Sequence, residues 1–201
     1  MNPSSADSDS GLAGSVEESD ETVLSRFLSG EEEMFTKLVR RYEQSLYAFI
    51  YRLSGDRADA SDSFQETFVR VYQHGDRFRG DSRFKTWLYS IATNVCREQA
   101  RRRQRKGVIG EAVDPNSPDS RPGPGMAAQS SEIGERIEVA VSALPDEQHE
   151  VFVMKVYEEL TFQEISDVID CPLGTVKSRM RNALMKVRTD LRDLAEAYDF
   201  S

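Results

Sequence analysis

Apolar residues recur at three- and four-residue spacings along most of the chain, which is the spacing of a helix face. Met34, Leu38, Tyr42, Leu46 and Ile50 follow one another at intervals of four, and Phe35, Val39, Phe49 and Leu53 widen the same face. The pattern predicts one long amphipathic helix over 31–54. Gly55 ends it, and Asp56 is placed to cap the next helix, with Asp59 three residues on. That helix carries Phe64, Phe68, Val69 and Tyr72. Gly75 and Gly80 bracket an irregular loop, after which Asp81 or Ser82 caps a helix bearing Phe84, Trp87, Leu88, Ile91, Val95 and Cys96. A short helix over 21–29 precedes these three, and the group predicts a helical bundle over 20–106.

The periodicity lapses in two places. Residues 1–19 are rich in Ser, Asp, Glu and Gly, with Leu12 and Val16 as the sizeable apolar residues. Such a segment buries too little apolar surface to offset its ordering entropy, so a disordered acidic tail is expected. Residues 107–134 hold Pro115, Pro118, Pro122 and Pro124 together with five glycines and no aromatic residue. That composition predicts a flexible linker between two domains.

Beyond the linker the helical pattern resumes over 135–197. A helix near 132–143 leads to Pro145, which suits the first position of a helix through Val151, Phe152 and Val156. Thr161, Phe162, Gln163 and Glu164 have the form of a capping box ahead of a short helix with Ile165, Val168 and Ile169. A tight break follows at Asp170, Cys171, Pro172, Leu173 and Gly174. Then comes a long basic helix with Val176, Met180, Ala183, Leu184, Val187 and Leu191 on one side. A short capped helix, a turn and a longer helix opening on Thr, Lys, Ser and Arg make a helix-turn-helix. The fold class is therefore all-α, with two small helical domains joined by a flexible linker.

Charge sharpens this picture. The 201 residues carry a net charge of −9, which by itself argues against a nucleic-acid partner. Residues 1–33 account for −8 of it, with nine acids against Arg26. Elsewhere two stretches are strongly basic, Arg97 to Lys106 and Lys177 to Arg192, each with six bases and one acid. Such asymmetry carries more information than the total. The 38% of apolar residues include no run of the roughly 18–20 needed to cross a bilayer. The polar first twenty residues are not a secretory signal. Two cysteines, Cys96 and Cys171, form no CxxC and have only His74 and His149 to join them, so neither a disulfide scaffold nor a zinc site is expected. A reducing cytoplasm fits best.

Candidate chemistry concentrates in three places. In a helix-turn-helix the second helix enters the major groove, and Thr175, Lys177, Ser178, Arg179, Arg181 and Asn182 are types that hold phosphates or read bases. The plainer reading is a solvated basic face on a core helix. The run Arg97, Arg101, Arg102, Arg103, Arg105 and Lys106 reads as a phosphate patch, or equally as cations favoured at a helix C-terminus. Among the aromatics, Phe84 and Trp87 have core spacing, whereas Phe78 sits in a loop between Arg77 and Arg79. It is placed either to stack on an unpaired base or to pack inward. Cys96 is expected in the core, His74 at a helix end and His149 on a helix surface. No phosphate-binding glycine loop, HExxH or nucleophile–histidine pattern occurs, so neither an enzyme nor a cofactor is expected.

Two long motifs then resemble a known family. Asp59 to Phe68 (DASDSFQETF) and Phe78 to Asn94 (FRGDSRFKTWLYSIATN) resemble region 2 of bacterial sigma factors. Leu144–Pro145, Leu160 to Ile165 (LTFQEI) and Cys171 to Arg179 (CPLGTVKSR) resemble region 4. The resemblance is to the extracytoplasmic-function (ECF) group of the sigma-70 family, over about 21–106 and 135–195. It implies a protein that binds core RNA polymerase through its clamp and flap and directs promoter recognition, −10 melting and transcription initiation. By this resemblance Asp59, Asp62, Gln65 and Glu66 dock on the clamp. Phe78, Arg79, Ser82 and Asn94 serve the −10 element with Arg97, Arg101, Arg102, Arg103 and Arg105. Thr175, Lys177, Ser178, Arg179, Arg181 and Asn182 serve the −35 element. An anti-sigma factor is a further partner in many members, and with no heptad seam in evidence the free chain is expected to be a monomer. The alternative is a stand-alone helix-turn-helix transcriptional regulator. The chain departs from the family pattern at Asn182 and Leu184, which stand where arginines are usual, so a −35 preference does not transfer. Ser63 and Phe64 replace a usual aliphatic pair. The acidic N-terminal extension either competes with DNA for the basic helices or is inert.

Overall fold

A computed structural model of the chain describes residues 18–105 and 132–192. All regular structure among these residues is helical: α1 (Asp20–Leu28), α2 (Glu33–Ser54), α3 (Arg57–His74), a 3-10 turn (Gly75–Arg77), α4 (Phe84–Arg105), α5 (Glu132–Ser142), α6 (Asp146–Val156), α7 (Phe162–Ile169) and α8 (Leu173–Asp190). The expected disordered tail up to 17, Lys106, most of the linker (through 131) and residues 193–197 lie outside the described residues. Glu18 and Ser19, read as part of the tail, belong to the start of α1. The Ser19 hydroxyl accepts from the Thr22 N–H at 3.2 Å, and Glu18 bridges Arg26 and Lys37 at 2.7 and 2.6 Å.

In the first unit α2 buries Leu38, Tyr42, Leu46, Phe49 and Ile50, the four-residue rhythm of the sequence. It stops at Gly55, whose φ of +69° is the left-handed conformation that side chains disfavour. Asp56 then caps α3 as expected, accepting from the Asp59 N–H at 2.9 Å. The inward face of α3 differs from the one its large residues predict. Ala60, Ser63, Thr67, Phe68 and Val71 are buried, whereas Val69 and Tyr72 are exposed. Thr67 can be buried because its hydroxyl donates to the Ser63 carbonyl at 2.7 Å, which satisfies a group that reads as a surface residue.

The start of α4 is a second departure. Neither Asp81 nor Ser82 caps it. The helix begins at Phe84, and the Phe84 N–H donates to the Glu21 carboxylate of α1 at 2.9 Å. A cap reached from 63 residues away leaves no local signature. It also holds the Glu21 carboxyl below the usual carboxylate range, the Phe84 N–H being the main cause. α4 buries Phe84, Leu88, Tyr89, Ala92 and Val95 against α2 and α3. Cys96 packs beside this core as expected, and burial pushes its thiol up to about 12.

The second unit is built from α5 to α8, with Val151, Val153, Met154, Ile165, Val176 and Ala183 at its centre. The capping box is present: the Thr161 hydroxyl accepts from the Glu164 N–H, and the Glu164 carboxylate accepts from the Thr161 N–H at 2.8 Å. Asp170 ends α7 in the left-handed conformation, φ +50°. The break is shorter than the sequence suggests, since Leu173 and Gly174 are already helical and the turn is Asp170 to Pro172. Leu184, read as core, is 50% exposed, because it lies one position past the buried Met180–Ala183 line. His149 is half-buried rather than on the surface, and burial lowers its pKa.

The two units do not stay apart. α7 packs on α4, and α6 packs on α2. Tyr89 donates to the Glu158 carboxylate at 2.5 Å, Lys85 donates to the Glu158 carbonyl at 2.9 Å, and the Arg52 guanidinium lies 4.1 Å from the centre of the Tyr157 ring.

Two outcomes follow for the capping box. Thr161→Ala should lower the stability of the second unit by about 1 kcal/mol, read as a lower midpoint in thermal unfolding. The Thr161 N–H holds the Glu164 carboxyl below its ordinary 4.5. A carboxyl lowered in the folded state contributes stability above its unfolded pKa and loses it as pH falls through the folded value. The stability gap between wild type and Glu164→Gln should therefore be largest near neutral pH and close as the pH drops below 4.5. A gap constant across that range would contradict this.

Candidate functional site

Three faces carry the candidate residues. The first lies on α3. Asp59, Asp62, Gln65 and Glu66 fall within two helical turns on one side of the helix. Asp62 and Gln65 are exposed, and Asp59 and Glu66 are half-buried. Asp59 pairs with Arg103 of α4. Glu66 pairs with Arg70 at 2.8 Å, and Arg70 forks onto Glu98 of α4 at 3.1 and 2.8 Å. Arg70 thereby holds the Glu98 carboxyl below its usual range. These bridges fix the α3–α4 groove, about 460 Å³, with Asp62, Gln65, Glu66 and Arg102 in its lining. The result is a polar surface held by ion pairs, with Asp62 and Gln65 presented to solvent.

The second face belongs to α4 and the loop before it. Asn94, Arg97, Arg101 and Arg105 recur at spacings of three, four and four, so they form one stripe. Asn94, Arg101, Arg102 and Arg105 are exposed. Two cations are engaged elsewhere: Arg103 with Asp59, and Arg97 with Glu150 of α6 in a two-pronged pair at 2.8 and 2.6 Å. In the loop, Gly80 has φ +76°, Arg79 is exposed, and Ser82 is half-buried. Phe78 is half-buried, with its ring 5.4 Å from Trp87 and 6.0 Å from Phe84. It belongs to an aromatic cluster whose base is the fully buried Phe84.

The third face is the start of α8. The turn that aims it is tied by the Ser166 hydroxyl donating to the Cys171 carbonyl at 2.5 Å. It is tied again by the Thr175 N–H donating to the Pro172 carbonyl at 2.8 Å. Lys177, Arg181 and Asn182 are exposed, and Thr175, Ser178 and Arg179 are half-buried. Arg179 pairs with Glu147 at 2.6 Å, and the Ser178 hydroxyl donates to the Thr175 carbonyl at 2.9 Å. Beside these cations Phe162, Met180, Leu184 and Met185 line an apolar groove of about 400 Å³.

The sequence gives no sign of Glu147, Glu150 or Glu158 as partners of these residues, because Glu150 and Glu158 meet α4 from 53 to 73 positions away and Glu147 meets Arg179 of α8 from across the break. Among the described residues no cluster of three or more His, Cys, Asp or Glu side chains could hold a metal ion. No helix there is long and apolar enough to cross a membrane.

Comparisons with known proteins place both helical units in one family. The family model for sigma-70 region 2 matches residues 38–106, and that for sigma-70 region 4 matches 134–187. The chain belongs to the sigma-70 family of RNA polymerase sigma factors. Within it, the chain is 32% identical to the ECF RNA polymerase sigma factor SigW of Bacillus subtilis, over 82% of this chain and 92% of that protein. It is 30% identical to the RNA polymerase sigma-H factor of Pseudomonas aeruginosa, over 89% and 97%. The sigma factor RpoE of Bartonella quintana, solved with the anti-sigma factor NepR, shares the fold at TM-score 0.67 and 24% identity, over 79% of this chain and 96% of that one. CnrH, solved with the cytosolic domain of CnrY, shares it at 0.65 and 20%, over 88% and 99%. The chain is an ECF sigma factor: it binds core RNA polymerase and directs it to promoter DNA.

The exposed cations of α8 allow a direct check. If they grip phosphates, Lys177→Ala and Arg181→Ala should each weaken duplex binding by the second unit across sequences and lower the salt slope by about one. An unchanged salt slope would assign them to the solvated surface.

Proposed function

We propose that the three faces divide the work of this sigma factor. Asp59, Asp62, Gln65 and Glu66 on α3 dock on the polymerase clamp, where the exposed Asp62 meets a basic partner, with the half-buried Asp59 and Glu66 beside it. The Phe78–Ser82 loop with Asn94 takes an unpaired base of the −10 element, while Arg97, Arg101, Arg102, Arg103 and Arg105 hold the neighbouring phosphates. Thr175, Lys177, Ser178, Arg179, Arg181 and Asn182 meet the −35 element in the major groove. The working units are the region 2 bundle over 20–106 and the region 4 domain over 135–197, with core polymerase, through clamp and flap, as the partner in the cytoplasm.

The observation that carries this reading is the order of the two matched domains together with the stripe of Asn94, Arg97, Arg101 and Arg105 beside the α3 acids on a single rigid pair of helices. One α3–α4 unit thus offers an acidic face to protein and a basic face to DNA. B. quintana RpoE is seen with NepR and CnrH with part of CnrY, and by analogy we assign this chain an anti-sigma factor as a further partner.

Run-off transcription with purified core polymerase on fragmented source DNA tests the reading. Discrete new start sites should appear only with this protein present. Asp62→Lys with Gln65→Ala should abolish core capture in a pull-down while leaving the helical content and unfolding midpoint unchanged, since both side chains are exposed. Binding of core by that variant at wild-type strength would move the docking face elsewhere. Duplex binding without core capture by wild type would favour a stand-alone regulator.

A further inference from the structure

The apolar groove along α8 is open among the described residues. Its floor is Phe162, Met180, Leu184 and Met185, and Leu184 and Met185 are 50% and 60% exposed. Lys177, Arg181 and Arg188 edge it. Arg179, on the neighbouring side of the helix, is taken by Glu147, whereas no acid among the described residues pairs with the three cations of the edge. A duplex satisfies half of such a surface. Its phosphates suit the cations and leave the apolar floor against charge. The complement of both halves is a short segment that interleaves apolar and acidic side chains.

Residues 193–201 have that composition. Leu194, Tyr198 and Phe200 are interleaved with Asp193, Glu196 and Asp199, and no base occurs among the nine. α8 ends at Asp190, half a turn past Arg188, so the chain leaves the helix at one end of the groove. The eleven positions from Lys177 to Arg188 rise about 16 Å along the helix. Nine extended residues reach about 30 Å, so two or three can turn and the rest still run the length of the groove. A segment tethered at the groove's edge is present there at an effective concentration on the order of millimolar, so weak contacts suffice to hold it.

We propose that residues 193–201 fold back along α8 and fill this groove, with Leu194, Tyr198 and Phe200 against its apolar floor and Asp193, Glu196 and Asp199 toward the cations of its edge. An arginine at 184 would put a further cation into that floor, and Leu184 supplies an apolar contact instead. The segment and a duplex then compete for Lys177 and Arg181. That consequence rests on the assignment of those two cations to phosphates, whereas the docking itself does not.

The test uses the full chain, with its methionine methyl groups followed by NMR. Leu194→Ser, Tyr198→Ser and Phe200→Ser together remove the apolar contacts of the segment, leave every charge in place and touch no core residue of the described helices. The Met185 methyl signal should move on that change, while that of Met154, fully buried in the same unit, stays where it is. Binding to a fluorescent random-sequence duplex at low salt should tighten about fivefold in the same variant, as expected when about four-fifths of the wild-type grooves are covered. An unmoved Met185 signal overturns the docked segment. So does a Met185 signal that changes as wild type is diluted, which would seat a second copy of the chain in the groove. A moved signal with unaltered duplex affinity keeps the segment in the groove and removes Lys177 and Arg181 from the phosphate contacts, so the two failures are told apart.

Discussion

The burial of one side of α4 constrains the positions of all three candidate faces. Phe84, Leu88, Ala92 and Val95 run along that side at intervals of four, four and three and pack against α2 and α3. Each large side chain so buried contributes about 1.5–3 kcal/mol. With that side fixed inward, helix geometry leaves no freedom for the rest. Asn94, Arg97, Arg101 and Arg105 must form a stripe, Tyr89 must point toward the second unit, and Trp87 must lie over Phe84 and under the loop that carries Phe78. The register of α4 is itself set from outside, by Glu21 taking up its first N–H. A short N-terminal helix thereby decides where the stripe of Asn94, Arg97, Arg101 and Arg105 begins.

Charged pairs between α3 and α4 serve geometry more than stability. Arg70 lies between Glu66 and Glu98, each partly exposed, and such bridges contribute modestly to folding because solvent competes for both partners. What they fix is the separation of two surfaces of opposite character. Asp62 and Gln65 face outward on α3, while Arg70 is held between Glu66 and Glu98 and Arg103 is held by Asp59. That arrangement lets a chain of net charge −9 present basic rows to a polyanion. The total charge describes residues 1–33, which account for −8 of it, whereas recognition depends on the field over each face.

Much of this was legible in the sequence. The helices of both units follow from apolar spacing, and the capping box at Thr161–Glu164 and the cap at Asp56 follow from local chemistry within three residues. What the sequence hid was non-local. The cap on α4 comes from Glu21, and the partner of Arg97 is Glu150. The buried line on α3 runs through Ser63 and Thr67 because a hydroxyl can bond back along its own helix, whereas the bulkier Val69 and Tyr72 face out. Hydrophobic size picked out Phe68 and Phe64 there but misplaced Val69 and Tyr72. Leu184 shows the same limit: its neighbours define the core line, and one residue of helical phase, about 100°, separates burial from exposure.

That exposure bears on the departure from the family pattern. Leu184 stands where an arginine is usual, and with Met185, Met180 and Phe162 it makes an apolar groove immediately beside Lys177 and Arg181. The row of cations on this side of α8 is therefore interrupted at Leu184 by an apolar side chain, with Lys177 and Arg181 before it and Arg188 after it. Base contacts from a recognition helix also come from its N-terminal turns. In the proposed assignment, Leu184 removes one phosphate contact from the middle of the helix and leaves Thr175, Lys177, Ser178 and Arg181 in the turns assigned to base reading. Under that assignment a change at 184 alters phosphate grip without touching the turns that read bases, so the two can vary separately.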